Sequence, residues 1–348
     1  MRGSGVRVTQ AAPVPHPRNC FDRPVLGSTG NSVGLVVFNT KFFATLFVVA
    51  SAEFLSGCSR LAALVEQQNR LRCNDSNPDV KIAACTAVIR SGVETGASLA
   101  ASFNNRGIGY YDEGQYDLAI QDYSQAIRLK PMAAIYNNRG NAYRDQRYYD
   151  LAIQDYDQAI RMKPDLAIAF NNRGVAYLRE GQYDLAIRDF DATIRLKPDY
   201  ASAYANRGSA YDDKGQYALA IRDLDRAIGL TPDDAAALND RCYVRAEAGH
   251  GIIPALLDCN ESLLLRPGEP ATLDSRGFVC LHLGRFDDAI RDYNAALSKD
   301  ARVASSLYGR GFTKLREGDR TGGSADIAAA EKVDPGIAKT FAGYGLAP

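Results

Sequence analysis

Asn138-Arg139-Gly140-Asn141-Ala142-Tyr143, followed by Ala152-Ile153-Gln154-Asp155 and closed by Pro164, is one copy of a phrase that recurs down this chain. The phrase also begins at Asn105-Arg106-Gly107, Asn172-Arg173-Gly174 and Asn206-Arg207-Gly208, at spacings of 33 or 34 residues. In each copy a tyrosine follows the glycine by three residues (Tyr110, Tyr143, Tyr177, Tyr211), and Pro131, Pro164, Pro198 and Pro232 end the four units. With the glycine as position 8, the frame continues in weaker form through Cys242, Gly277 and Gly311, closed by Pro267, Ala301 and Pro335. Seven units therefore cover residues 100–335.

The residue types explain the local structure. Tyr136, Gly140 and Tyr143 stand at i, i+4 and i+7, one face of a helix over 134–146, and Ala152, Tyr156 and Ala159 do the same over 149–162. The preceding pair is expected at 100–113 and 116–129. Proline cannot continue the second helix and forces the turn into the next unit. A single hairpin cannot bury its apolar face alone, so the units must stack. This pattern, an aromatic, Gly, Tyr, Ala, an aromatic and Pro over about 34 residues, resembles the tetratricopeptide repeat (TPR) family across two-thirds of the chain. The resemblance implies an all-α fold, a right-handed superhelical solenoid of helix-turn-helix repeats in which helix A of each pair lines a concave groove.

The 348 residues carry no net formal charge. Residues 1–52 hold five of the 41 basic residues and one of the 41 acidic ones, which leaves 36 against 40 beyond them, a net of −4. Nucleic acid needs clustered positive charge, so it is not an expected partner. Phe42–Ala52 is an apolar run after Lys41 that ends Ala50-Ser51-Ala52, the pattern of a secretory signal with its cleavage site. Residues 33–52 are thus read as a signal peptide or, uncleaved, a membrane anchor, and 1–32 as a disordered or mis-annotated leader. Leu55-Ser56-Gly57-Cys58 resembles a lipobox, which would acylate Cys58. Membrane contact is expected only by one of these routes. Cleavage after Ala52 leaves six cysteines, an even number suited to an oxidising compartment. Residues 53–99 read as a degenerate N-terminal capping unit, with Asp79–Arg90 matching a helix B and 60–72 its partner. Residues 336–348 read as a C-terminal cap in which Ile337, Phe341 and Tyr344 cover the last unit.

Comparing the seven copies with one another singles out two columns. Position 7 is arginine and position 23 aspartate throughout, including Arg106 and Asp122, Arg139 and Asp155, Arg173 and Asp189, and Arg207 and Asp223. In an antiparallel hairpin these positions lie at one height. They read as a ladder of structural ion pairs, or else as a basic stripe for an acidic ligand. Asparagines recur at positions 5 and 6. In TPR proteins positions 2, 5, 9, 12 and 13 face the ligand, which here nominates Asn104, Asn137, Asn141, Arg144, Asp145, Asn171, Arg179 and Asp213 for a peptide-binding groove. Their amides offer donors and acceptors to an extended backbone. The carboxylate clamp of some family members needs lysines at positions 2 and 5, and Ala101, Ala134, Ile168 and Ser202 occupy position 2.

No catalytic residue, metal ligand set or cofactor motif emerges. His16, His250 and His282 are the only histidines; His250 falls in a turn between helices and His282 on an exposed part of a helix. No Cys-x-x-Cys or His-x-x-x-His occurs. Cys242 and Cys259, at positions 8 and 24 of the fifth unit, face each other across a hairpin and are disulfide candidates, with Cys73 and Cys85 a second pair and Cys280 a competitor for Cys259. The chain reads as a non-enzymatic, exported scaffold, periplasmic or envelope-associated, that holds a peptide or protein in its groove. The alternative is an accessory or regulatory subunit of an envelope enzyme complex that docks through the divergent repeats 5–7.

Overall fold

The computed structural model describes residues 60–346 except 250; the leader, the signal or anchor, Cys58, His16 and His250 lie outside the described residues. Two compact units divide at Gly109 and Tyr110. Among the described residues every regular element is a helix and none is apolar and long enough to cross a membrane.

The first unit contains α1 (residues 60–72), α2 (Pro78–Ser91) and α3 (Gly96–Asp112) as far as Gly109. Asn77 caps α2 by accepting from the Val80 amide, Pro78 occupies the first turn, and Gly92 closes the helix at φ 67°. These are the start and stop residues that a helix terminus favours. Cys73, just after α1, is bonded to Cys85 of α2, and both are buried. A Cβ on Gly109 would stand 2.7 Å from Ile82 Cγ1, so only glycine lets α3 lie this close to α2.

The second unit begins with the end of α3 and α4 (Tyr116–Leu129) and continues as six hairpins. Repeats 2 to 4 are α5 (Ala133–Asp145) with α6 (Tyr149–Met162), α7 (Ala167–Arg179) with α8 (Tyr183–Leu196), and α9 (Ala201–Asp213) with α10 (Tyr217–Leu230). Repeats 5 to 7 are α11 (Ala235–Glu247) with α12 (Ile252–Leu265), α13 (Pro270–His282) with α14 (Phe286–Leu297), and α15 (Ala304–Glu317) with α16 (Arg320–Val333). Lys130, Lys163, Lys197, Thr231 and Arg266, each before a proline, take extended φ of −130° to −154° and end their helices. The proline ring excludes the helical conformation from the residue before it. In repeat 6, where Ala301 replaces the proline, α14 is two residues shorter than its counterparts and Ser298 stays in the helical region.

Glycine at position 8 fixes how closely the two helices of a hairpin approach. A Cβ at Gly140, Gly174 or Gly277 would stand 2.7–2.9 Å from a ring carbon of Tyr156, Phe190 or Tyr293. In repeat 5 the disulfide Cys242–Cys259 takes the place of this glycine–aromatic contact. Cys85 of the first unit likewise stands where Tyr123 does in repeat 1.

Adjacent A helices touch from α5 to α15, and adjacent B helices do not come as close, which puts the A helices on the inner side of this unit. A last helix, α17 (Ile337–Gly343), folds back onto that inner face. Phe341 lies 4.6 Å from the Tyr308 ring and 5.9 Å from Phe278, and the Tyr344 hydroxyl is 3.2 Å from that of Tyr243. The C-terminal segment therefore extends past the last repeat to reach repeat 5, farther than a cap over one unit.

Candidate functional site

The two repeated columns meet the same partners in every repeat from the second to the seventh. Arg139, Arg173, Arg207, Arg241, Arg276 and Arg310 each donate from Nε, at 2.7–3.0 Å, to the aspartate of their own helix B. Nη2 of each donates to the other carboxylate oxygen at 2.6–2.9 Å. The Nη1 of each reaches helix B of the preceding repeat at 2.5–3.0 Å, to Ser124, Asp157, Asp191, Asp225, Asn260 or Asn294. Each arginine thus ties three helices together, and in repeats 2 to 4 its guanidinium also lies 5.5–5.9 Å from two aromatic rings of its own helix. Arg106 belongs to the first unit, where it donates to Thr86, and Asp122 is buried in the second.

The paired aspartates are 2–8% exposed. Burial pushes Asp155 and Asp189 above the usual carboxylate range against the pull of Arg139 and Arg173. Burial also works against the Arg173 and Arg207 charges, yet their carboxylate partners raise both above the ordinary value. Each of these guanidiniums thus commits three of its five N–H donors to the scaffold.

The asparagine columns join neighbouring A helices. Asn172 donates to Asn137 at 3.1 Å and to Asn141 at 3.0 Å, Asn206 donates to Asn171 at 3.1 Å, and the Tyr156 hydroxyl donates to Asn141 at 2.8 Å. Asn137 and Asn171, expected to face a peptide, are 5% and 6% exposed. Close A–A packing has turned these amides toward the next repeat, so they brace the floor of the groove. In the first unit Asn104 donates to Asn105, which donates to Asn74.

Arg144, Asp145 and Arg179 come together. With Arg147, Tyr149 and Val175 they line a cleft of 740 Å³ between repeats 2 and 3. Arg144 Nε donates to Asp145 at 2.9 Å, and the Tyr111 hydroxyl donates to the other carboxylate oxygen at 2.5 Å. Burial, and then this hydrogen bond, pushes the Tyr111 hydroxyl up to about 12. Arg147 sits at φ 65° in the turn between helices, where the other repeats of this unit place Gly114, Gly181, Gly215, Gly249, Gly284 and Gly318. For a residue with a Cβ this conformation costs on the order of 1–2 kcal/mol relative to glycine. Arg147, Tyr149 and Val175 were not singled out from the sequence; the signal available was one arginine in a column of glycines.

Asp213 lies farther along the same face, beside Asp212 and near Glu247 of the next A helix. Burial and the Glu247 charge raise Asp213, opposed at longer range by Arg179. Burial, then the charge of and hydrogen bond to Glu247, pushes Asp212 up to about 8. Beyond this point the face changes character: position 9 is Tyr243, Phe278 and Phe312 in repeats 5 to 7, and α17 covers the first two.

His282 is half-buried, edge-on to Phe278 with ring centroids 4.7 Å apart, because α17 closes over that face. Among the described residues no three His, Cys, Asp or Glu side chains are placed to hold a metal ion. Cys242 and Cys259 are bonded, as are Cys73 and Cys85, and Cys280 is a buried free thiol.

A family model described as TPR repeat matches residues 109–146 and 140–181, and one described as Tetratricopeptide repeat matches 171–235. No curated protein sequence matches the chain. Among solved structures it is similar to a tetratricopeptide repeat protein from Parabacteroides merdae ATCC 43184, at 18% identity over 71% of this chain and 98% of that one, with a TM-score of 0.57. It is also similar to the APC/C hetero-tetramer Cut9–Hcn1, at 16% identity over 80% of this chain and 54% of that one, with a TM-score of 0.61. The chain thus spans about half the length of the latter, and at these identities the likeness is one of fold. Repeat period, paired helices, position-8 contacts and family matches agree: residues 109–235 are tetratricopeptide repeats, and the hairpins that follow them have the same fold.

Proposed function

We propose that this protein is a non-enzymatic interaction scaffold that holds a peptide segment of a partner protein on the inner face of repeats 2 to 4. The observation that carries this reading is the contrast along that face. Repeats 2 and 3 leave a polar 740 Å³ cleft open, within the size range of ligand sites, while α17 already covers repeats 5 to 7. TPR proteins generally bind proteins or peptides, and neither structural relative extends this to a named partner here. Two disulfides suit an oxidising compartment, which supports an exported, periplasmic or envelope location.

A second reading, docking of an accessory subunit through repeat 5, draws on α12. Ile253, Leu257 and Leu264 are 59%, 63% and 81% exposed along that helix. Affinity capture from an envelope extract with the full chain separates the two. Ser209→Trp, which fills position 9 of repeat 4, is expected to abolish capture of the specific partner, and Leu257→Asp with Leu264→Asp to preserve it. The reverse pattern establishes the second reading.

A further inference from the structure

We infer that the cleft between repeats 2 and 3 is a subsite for an acidic stretch of peptide, with Arg147 and Arg179 as its two carboxylate-binding groups. This rests on the reading of the inner face as a peptide groove and adds the chemistry of what enters it.

Three guanidiniums and one carboxylate line the cleft. Arg144 and Asp145 neutralise each other at 2.8 Å, and the second oxygen of Asp145 is occupied by Tyr111. Arg147 and Arg179 remain; both are exposed, and among the described residues neither has a carboxylate within ion-pair distance. The ladder arginines of the same unit each hold two or three partners. The cleft is therefore locally cationic in a body whose charge beyond residue 52 is slightly negative.

The backbone supplies an independent argument. The turn that carries Arg147 has the left-handed conformation that glycine adopts in the other repeats, from Gly114 to Gly318. A side chain here is strained, and Arg147 makes no hydrogen bond or ion pair with its side chain that would offset that strain within the chain. Strain that internal contacts do not explain points to a partner outside the chain. The chemistry of that partner follows from the residues. A planar guanidinium fork matches a carboxylate with two parallel hydrogen bonds. Tyr149 and Val175 offer apolar surface to the methylenes of a glutamate. The cations stand at positions 12, 13 and 15, apart from the lysine positions 2 and 5 of the carboxylate clamp.

The test is fluorescence anisotropy of the full chain with a labelled octapeptide holding four glutamates, against the same peptide with four glutamines. The glutamate peptide is expected to bind at least ten-fold more tightly, with the difference shrinking as salt rises. Arg147→Gly restores the residue the turn prefers, so the melting temperature holds or rises while affinity for the glutamate peptide falls about ten-fold. Arg179→Gln weakens binding similarly, and Arg195→Gln, on the outer helix α8, leaves it unchanged. Equal binding of the two peptides, or an Arg147→Gly protein that binds as before, overturns the acidic subsite; if Ser209→Trp still removes that equal binding, the groove reading survives it. Failure of both peptides to bind overturns the subsite, and the capture experiment then decides the groove separately. Competition by inorganic phosphate but not by free glutamate would overturn it in favour of a phosphate site.

Discussion

The inner faces of repeats 2–4 and repeats 5–7 are built on the same helices, arginine–aspartate staples and turns, yet one face is open and the other closed. At position 9 the first half places Asn141, Val175 and Ser209, and the second half Tyr243, Phe278 and Phe312. Small or polar groups there tolerate water, and Asn141 joins the amide network that braces neighbouring A helices. Aromatic groups there create an apolar strip that must be buried, and the chain buries it with Ile337, Phe341 and Tyr344 of its own tail. One side-chain column, with the scaffold unchanged, thus decides whether a stretch of solenoid presents a binding surface or consumes it.

The largest break in this comparison comes from uncovering the closed half. Phe341 is 4% exposed and contacts Phe278 and Tyr308 from repeats 6 and 7. Phe341→Ala is expected to cost about 3 kcal/mol, the usual scale for removing a buried aromatic. Because repeats communicate only through their neighbours, the loss should be local. Hydrogen exchange followed by mass spectrometry should show amides of α11 to α16 losing protection while α5 to α8 keep theirs. Equal loss in both halves would mean that the tail does not distinguish them.

The boundary of the closed half is the repeat that carries Cys242–Cys259. Its sequence separation is 17, for which the chain-entropy model gives a stabilisation of about 3 kcal/mol. The bond is buried, and it replaces the contact of the position-8 glycine, with an aromatic ring in repeats 2, 3 and 6 and with Leu224 or Ile327 in repeats 4 and 7. In a Cys73→Ala, Cys85→Ala background, adding reductant should lower the unfolding free energy by that amount, read as a shift of the denaturant midpoint. An unchanged midpoint would show that packing alone holds repeat 5, and that it does not depend on the bond more than its neighbours do.

The fold was readable because its determinants are local and repeated. The proline that ends helix B in all repeats but the sixth, the turn glycine in all but the second and the small–large pairs at positions 8 and 24 in all but the fifth act within one unit, and seven copies make the period plain. The arginine–aspartate columns were visible for the same reason. The third contact of each arginine was hidden, because Ser124, Asp157, Asp191, Asp225, Asn260 and Asn294 vary in type and belong to the previous repeat. Asn137 and Asn171 had the character of ligand groups, and only the closeness of adjacent A helices turns them onto each other. The reach of Tyr344 to Tyr243 crosses 101 positions, which no periodicity encodes. Arg147 departs from a column that only the alignment of turns reveals.

A pH-dependent effect lies where the open half meets the closed one. Asp212, at the end of α9, faces Glu247 of α11, with Asp213 and Asp240 adding negative charge nearby, and its carboxyl is pushed up to about 8. In the unfolded chain the same group titrates at about 4. Between these values the folded protein holds a proton that the unfolded chain has released, so the unfolded state binds fewer protons and stability falls as pH rises through that window. Asp212→Asn cannot ionise and escapes this loss. Its melting temperature should match the parent near pH 4, exceed it by a few degrees at pH 8.5, and diverge progressively between. Circular dichroism melts across that range measure it. A difference independent of pH would mean that Asp212 is already ionised in the folded chain, and that the boundary between the two halves carries no shared proton.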